Sequence, residues 1–298
     1  MIRQEEIDQW LERIEADEAR EAADAKGKKG KPKGFTEIAV DDHILVVDKS
    51  SGVSVIPERD QSVESLQNLV TERYGRVWTV HRIDKGTTGV VLFARNEEAH
   101  RELNRQFRDR EVEKEYLVLV EGDADFSHGE KSEGVDVDIP LGPAPGNRMK
   151  PSASGKEAVT RFEIEERFRG FTLLRAFPMT GRQHQIRVHA GTIGLPLLVD
   201  PLYGQREEFL LSSIKRKYRD YGREERPLID RLTLHAARLV ITHPASGERV
   251  TFEAELPKDF RAVLNQLRKL RPIEDRTDRN ESSQIERNPG AEEADDVE

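Results

Sequence analysis

The chain has 298 residues, with 48 Lys and Arg against 57 Asp and Glu, a net charge of −9 and no cysteine. That length fits one large domain or two small ones, and the lack of thiols excludes disulfide scaffolds, thiolate zinc sites, iron–sulfur clusters and cysteine nucleophiles. No run approaches the ~20 apolar residues of a membrane span, and the acidic N-terminus lacks the apolar stretch of a signal peptide, so a cytoplasmic protein with no membrane partner is expected.

The charge is unevenly spread. Residues 1–34 hold 9 acidic and 8 basic side chains and residues 271–298 hold 10 and 4, which leaves 38 acidic and 36 basic between them. Residues 2–24 read as a helix, because Ile7, Trp10, Leu11 and Ile14 fall on one stripe. The run Lys26 to Gly34 is a flexible basic linker. Ile44–Val47 and Val53–Val55 read as strands around Asp48–Gly52, and Val90–Ala94 as a buried strand. Glu97–Arg110 reads as a helix on Ala99, Leu103 and Phe107. Tyr116–Val120 is a strand, and Val159–Glu166 and Thr172–Phe177 pair around Arg169-Gly170. Residues 183–193 read as a helix, Leu234–Thr242 and Arg249–Ala254 as strands, and Leu256–Leu270 as a helix. Beyond Arg271 the composition is that of a disordered acidic tail. Strands joined by turns, with irregularly interspersed helices, predict an α+β fold on a largely antiparallel mixed sheet with flanking helices. The expected domains are therefore 1–34, a helix and linker, 35–270, a catalytic domain, and 271–298, a tail.

Two stretches are dense in polar residues where a core should begin. The first, Val80-His81-Arg82-Ile83-Asp84-Lys85-Gly86-Thr87-Thr88-Gly89, runs into the strand at 90–94. Its carboxylate lies between Arg82 and Lys85, which suits a group that must act ionised as a nucleophile, and its glycines let other backbone or a ligand come close. The second, Thr180-Gly181-Arg182-Gln183-His184-Gln185-Ile186-Arg187-Val188-His189, opens a helix, and Arg187 could pair with Asp84 if the two face each other. His184 and His189 are five apart, against the i, i+4 spacing of two ligands on one helix face, so no metal is expected.

The first stretch resembles the H-R-L-D-x-x-T-S-G signature of the RluA-type RNA pseudouridine synthases. Three further blocks agree in order. Lys114-Glu115-Tyr116 resembles the family's K-x-Y strand. Gly181 to His189 resembles its G-R-x-H-Q-[LI]-R-x-H block, followed by Asp200-Pro201-Leu202-Tyr203-Gly204. Leu234-His235-Ala236 with His243-Pro244 resembles the closing strand pair. The resemblance covers about residues 35–270. Ile83 stands for Leu and Thr88 for Ser, and a short acidic helix with a lysine linker stands where many members carry an S4-type RNA-binding domain.

The resemblance implies the pseudouridine-synthase fold and an isomerase that detaches uracil from C1′ of its ribose, rotates it and rejoins it through C5. It assigns Asp84 as nucleophile and Arg187 as its ion-pair partner. It matches Tyr116 to the tyrosine that stacks on the base and makes it the candidate for handling the C5 proton. It matches Arg82 to a residue that can occupy the space left by the flipped base. Attack at C1′, a glycal route and addition at C6 all remain open. The isomerisation passes no electrons to a carrier, so no cofactor is implied. The implied partner is structured rRNA or tRNA, met by a monomer with no protein partner. A non-catalytic RNA-binding or chaperone-like protein on the same fold is the rival reading, and the intact Asp84, Arg187 and Tyr116 argue against it.

Further RNA contacts are expected from three basic features. Arg101, Arg105 and Arg108 form a stripe opposite Leu103 and Phe107. The loop Asn147 to Lys156, with Arg148 and Lys150, is basic and reads as mobile. The segment Lys215 to Arg223 interleaves Lys215, Arg216, Lys217 and Arg219 with two tyrosines, a composition suited to phosphate contact and base stacking.

Overall fold

The computed structural model describes residues 34–58, 64–126, 134–219, 222 and 224–273. The helix read over 2–24, the linker lysines and the acidic chain from 274 onward lie outside these residues. In chain order the elements are β1 (Phe35–Val40), β2 (Ile44–Lys49), α1 (Leu66–Tyr74), β3 (Trp78–Thr79), β4 (Thr88–Ala94), α2 (Glu97–Arg108), β5 (Glu113–Glu121) and β6 (Gly134–Asp138). They continue with β7 (Leu141–Ala144), β8 (Arg148–Pro151), β9 (Val159–Phe168), β10 (Phe171–Pro178), α3 (Gln185–Thr192), a 3-10 turn (Leu211–Ser213), β11 (Leu234–Thr242), β12 (Arg249–Glu253) and α4 (Lys258–Leu270). This is the expected α+β class. One ten-stranded sheet runs in the order β1-β2-β4-β11-β5-β10-β9-β6, with β12 on β11 and β3 on β4, while β7 and β8 make a separate hairpin. Each pairing is antiparallel except that of β4 with β11.

The parallel contact carries the first motif. Thr88 and Gly89 pair with His235 and Ala236. A Cβ on Gly89, at φ +110°, would lie 2.1 Å from the Ala236 carbonyl oxygen, so only glycine fits. His235 Nε2 sits 2.9 Å from the Ala254 carbonyl and Nδ1 2.9 Å from the Thr88 hydroxyl. Burial lowers the His235 pKa to about 4, so the ring is neutral. A carbonyl can only accept, so Nε2 carries the proton and Nδ1 accepts from Thr88. The hydroxyl that Thr88 shares with serine is thus used to tie the two motif strands together.

α2 and α4 are amphipathic as read. α4 buries Phe260, Val263, Leu264 and Leu267 against Leu119, Phe168 and Leu173 of the sheet. Full burial of such side chains is worth about 1.5–3 kcal/mol each, and α2 places Ala99 and Leu103 on the other end of the sheet. Three readings are corrected. Val53–Val55 is not a strand: the Ser54 and Val55 carbonyls instead accept from the first N–H groups of α1, at Leu66 and Gln67. The helix read from 97 ends at Arg108, and Arg110 turns away at φ 61°. The basic segment 147–156 is not a loose loop, because Arg148–Pro151 pairs with Leu141–Ala144. α1, capped by Ser65, was missed because its apolar stripe of Leu66, Leu69 and Val70 spans barely one turn.

Lys49, at the end of β2, is completely buried. Its ammonium donates to the carbonyls of Ser50, Val53 and Lys85 at 2.9, 2.9 and 3.1 Å, one bond for each proton. Burial pushes its pKa down to about 7, against the opposing charges of Asp84 and Asp48. Lys49→Met keeps the stem but strands three buried carbonyls, and it should lower stability by about 3 kcal/mol or more. Thermal or urea unfolding checks this, and an unchanged melting temperature would contradict it.

Candidate active site

Residues 80–87 link β3 to β4 and present Asp84. The Thr87 N–H donates to the Asp84 carbonyl at 3.0 Å and closes the turn. The turn after β2 holds it from behind, through Gly52 N–H to the Lys85 carbonyl at 2.8 Å and the Ser51 hydroxyl to the Gly86 carbonyl at 3.0 Å. Ile83 is buried in the core beside α1 and β4, so the Ile-for-Leu change keeps an apolar anchor. His81 stacks on Phe107 with centroids 4.9 Å apart, and its Nε2 accepts the Leu92 N–H at 2.9 Å. Burial, with the Lys114 charge in addition, lowers its pKa to about 3, so it is a neutral structural ring. The Asp84 side chain is left about 25% exposed.

The second motif is held by Gln185. Its carbonyl accepts from the Thr180 hydroxyl and the Arg182 N–H, and its amide donates to Val159 and Thr160 of β9. α3 then aims Arg187 at Asp84, with Nη1 donating to Oδ2 at 3.2 Å. The stronger partner of Arg187 is Asp200, whose two oxygens accept from Nε at 2.8 Å and Nη2 at 2.6 Å in a bidentate fork. Burial opposes the charge on Arg187, but hydrogen bonds and charge from Asp200, then Asp84, raise its pKa above the ordinary value. Its guanidinium also lies 4.9 Å from the centre of the Tyr203 ring.

Tyr116 enters the same cleft from the middle of the sheet. In β5 it pairs with Ala176 of β10 on one side and Ala236 of β11 on the other, so small residues flank the ring. Burial, and then the Asp84 charge, push its hydroxyl well above the ordinary phenol range, so it is protonated at neutral pH.

Asp84, Tyr116 and Arg187 therefore line one cleft of about 660 Å³. Arg82, Arg108, Arg110, Lys114, Arg182 and Arg187 line it too, against Asp84 as the one acidic side chain in the lining. Glu157 at the rim binds Arg110 through two bonds of 3.1 and 2.8 Å, and its carbonyl accepts from Arg182 at 2.8 Å. Among the described residues no group of three His, Asp or Glu side chains is arranged to hold a metal ion.

The RNA pseudouridylate synthase family model matches residues 43–191. The dual-specificity RNA pseudouridine synthase RluA of Escherichia coli K12 is 38% identical over 225 residues, covering 74% of this chain and 91% of that one. The chain belongs to the RNA pseudouridine synthase family, in its RluA-type branch. Ribosomal large subunit pseudouridine synthase C of the same strain is 38% identical over 239 residues, 78% of this chain and 69% of that one. Ribosomal large subunit pseudouridine synthase D of Nitrosomonas europaea is 36% identical over 240 residues, 77% of this chain. The chain spans only 64% of the length of that relative. Human RNA Pseudouridylate Synthase Domain Containing 4 shares the fold, with a TM-score of 0.60 at 24% identity over 78% of this chain and 92% of that one.

Of the residues singled out from sequence, the fold brings Asp84, Tyr116, Arg187 and the exposed Arg82 together. Arg148 and Lys150 are exposed on β8, and Lys215, Arg216, Lys217 and Arg219 are exposed after the 3-10 turn; none of these six lines the cleft. In the α2 stripe Arg105 is occupied by Glu102 and Glu111, whereas Arg108 reaches the cleft. Sequence reasoning missed Asp200, Tyr203, Arg110, Arg182 and Lys114 as site residues. Asp200 and Tyr203 sit in a motif block with no helix to place them, and Arg110 and Arg182 are ordinary surface cations by spacing.

Lys114 has no carboxylate bonded to it among the described residues; it reaches the Thr180 carbonyl at 3.4 Å. Burial, reinforced by Arg110, lowers its pKa to about 8. Its charge is complete well below pH 8 and lost above it, so affinity for oligouridylate should fall as pH rises from 7 to 9. Lys114→Arg, charged throughout, should flatten that fall. Parallel titrations of parent and variant would show that Lys114 contributes no phosphate contact.

Proposed function

We propose that this synthase converts specific uridines of structured rRNA or tRNA to pseudouridine, with Asp84 as the nucleophile, Arg187 as its ion-pair partner and Tyr116 against the uracil. The reaction breaks the C1′–N1 bond and makes a C1′–C5 bond; the C5 proton leaves and N1 gains one, so the formula is unchanged and no electron carrier is needed. The observation that carries this reading is the pairing of a part-exposed carboxylate with a buried guanidinium in a cleft lined by six cations and one acid. Such a cleft suits a polyanion, and it is a place where the base must leave its stack to be reached. A protonated Tyr116 can stack on the base and relay the C5 proton through its hydroxyl. Arg82 at the exposed edge is positioned to fill the space of the flipped base.

In this proposal residues 35–270 form the catalytic unit and act as a monomer in the cytoplasm. Among the described residues no helix is long and apolar enough to cross a membrane. The exposed cations Arg148, Lys150, Lys215, Arg216, Lys217 and Arg219 hold outlying phosphates. The relatives' names refer to RNA and to the ribosomal large subunit, which supports the rRNA class; the tRNA class rests on the motif resemblance.

Chemical mapping of pseudouridine in total RNA from cells with and without the gene should reveal sites that depend on it. Asp84→Asn should keep the fold and RNA binding while reducing formation at those sites by about 100-fold or more, since an amide cannot supply the anionic oxygen. Turnover within tenfold of the parent would overturn the assignment of Asp84.

A further inference from the structure

His184 stands at the head of α3 in a left-handed conformation, φ 54° and ψ 19°, and is nearly buried. Its Nδ1 lies 2.8 Å from the Tyr203 hydroxyl oxygen, and its Nε2 lies 4.0 Å from Asp84 Oδ2. The same Tyr203 oxygen accepts the Met149 N–H of β8 at 2.7 Å. A line of contacts therefore joins the basic hairpin β7–β8 to the nucleophile.

Proton accounting gives this line a direction. A phenol carries one proton, and Met149 N–H already occupies an acceptor position on Tyr203. Burial lowers the His184 pKa; Asp84 opposes that, Arg187 adds to it, Asp200 opposes it and Arg82 adds to it, which leaves a neutral ring. Among the described residues the Tyr203 proton then has one acceptor in reach, Nδ1, so Nδ1 accepts and the imidazole carries its proton on Nε2, on the side of Asp84. Arg187 and His184 both address Oδ2 of Asp84, and Oδ1 takes no hydrogen bond among the described residues.

Resting on the synthase reading above, we propose that His184 is a positioning residue. Its Nε2–H closes on Oδ2 of Asp84 and turns Oδ1 toward the substrate, and Tyr203 sets that tautomer and couples it to the hairpin. RNA seated on Arg148 and Lys150 presses the strand whose Met149 N–H holds Tyr203. The contact at 4.0 Å is too long for a hydrogen bond in the free protein, and it shortens when the hairpin is engaged.

The first test is nitrogen NMR of the histidines in the full chain at pH 7.5. His184 should show a protonated Nε2 and a bare Nδ1, and Tyr203→Phe, which keeps the ring under Arg187, should erase that preference. A ring protonated on Nδ1 in the parent overturns the proposal, and this readout does not depend on activity. The second test is single-turnover pseudouridine formation at saturating RNA taken from cells lacking the gene. Tyr203→Phe should slow it about tenfold or more with RNA affinity held. His184→Asn, which tolerates the left-handed backbone but cannot reach Asp84, should do the same, and His184→Gln, with an N–H of the right reach, should be several-fold faster than His184→Asn. Parent-like rates in Tyr203→Phe and His184→Asn overturn the proposal. A parent that forms no pseudouridine refutes the proposed function instead and leaves the tautomer to be judged by NMR.

Discussion

One guanidinium shared between two carboxylates sets the terms for the rest of the site. Arg187 is buried, and a buried cation is tolerated only when it is paired and hydrogen-bonded. Asp200 meets most of that demand with its bidentate fork and is itself 1% exposed. Its Oδ1 also accepts the N–H groups of Leu202 and Tyr203. The fork leaves Nη1 free of Asp200, and one of its protons is thereby aimed at Asp84. Asp200 fixes Arg187, and Arg187 orients the one cleft carboxylate that solvent and substrate can reach. Removing one member of such a buried pair costs about 3–5 kcal/mol, which binds the stability of this corner to its chemistry.

The sheet brings the three participants together from distant parts of the chain. Asp84 arrives on the turn before β4, Tyr116 from β5, and Arg187 from a helix that follows β10. The parallel contact of β4 with β11 puts the Asp84 loop one strand away from Tyr116, since β11 also pairs with β5. The chain after α3 then returns across the sheet, where the Leu198 N–H donates to the Leu119 carbonyl, and delivers Asp200 beneath Arg187. At Gly204 a Cβ would lie 2.8 Å from the Asp200 carbonyl oxygen, so the glycine of that block lets the turn close on the aspartate.

Much of this was legible because local signals and chemistry coincide. The run 90–94 is apolar on both faces and could only be a central strand, and the glycines of the first motif mark close backbone approach. Tyr116 and Arg187 became site residues only through the family's motifs, for a tyrosine in a strand and an arginine in a short helix are ordinary by themselves. Asp200 lies within a motif block, but nothing in its spacing shows that it lies under α3. Arg110 and Arg182 were missed for a related reason: their convergence on Glu157 is made by segments far apart in sequence. Asn147–Lys156 reads as a loop because its Gly, Pro and Ser content outweighs the short strand β8, whose partner β7 across the turn is again a matter of three dimensions.

The shared guanidinium is tested most directly by Arg187→Lys. An ammonium keeps the positive charge but lacks the planar fork that can serve Asp200 and Asp84 at once. Single-turnover pseudouridine formation would be measured at saturating RNA, beside a thermal unfolding curve that establishes folding of the variant. The expected result is a folded protein that binds RNA yet reacts about 100-fold more slowly. A rate within threefold of the parent would contradict the claim that Arg187 must bridge both carboxylates.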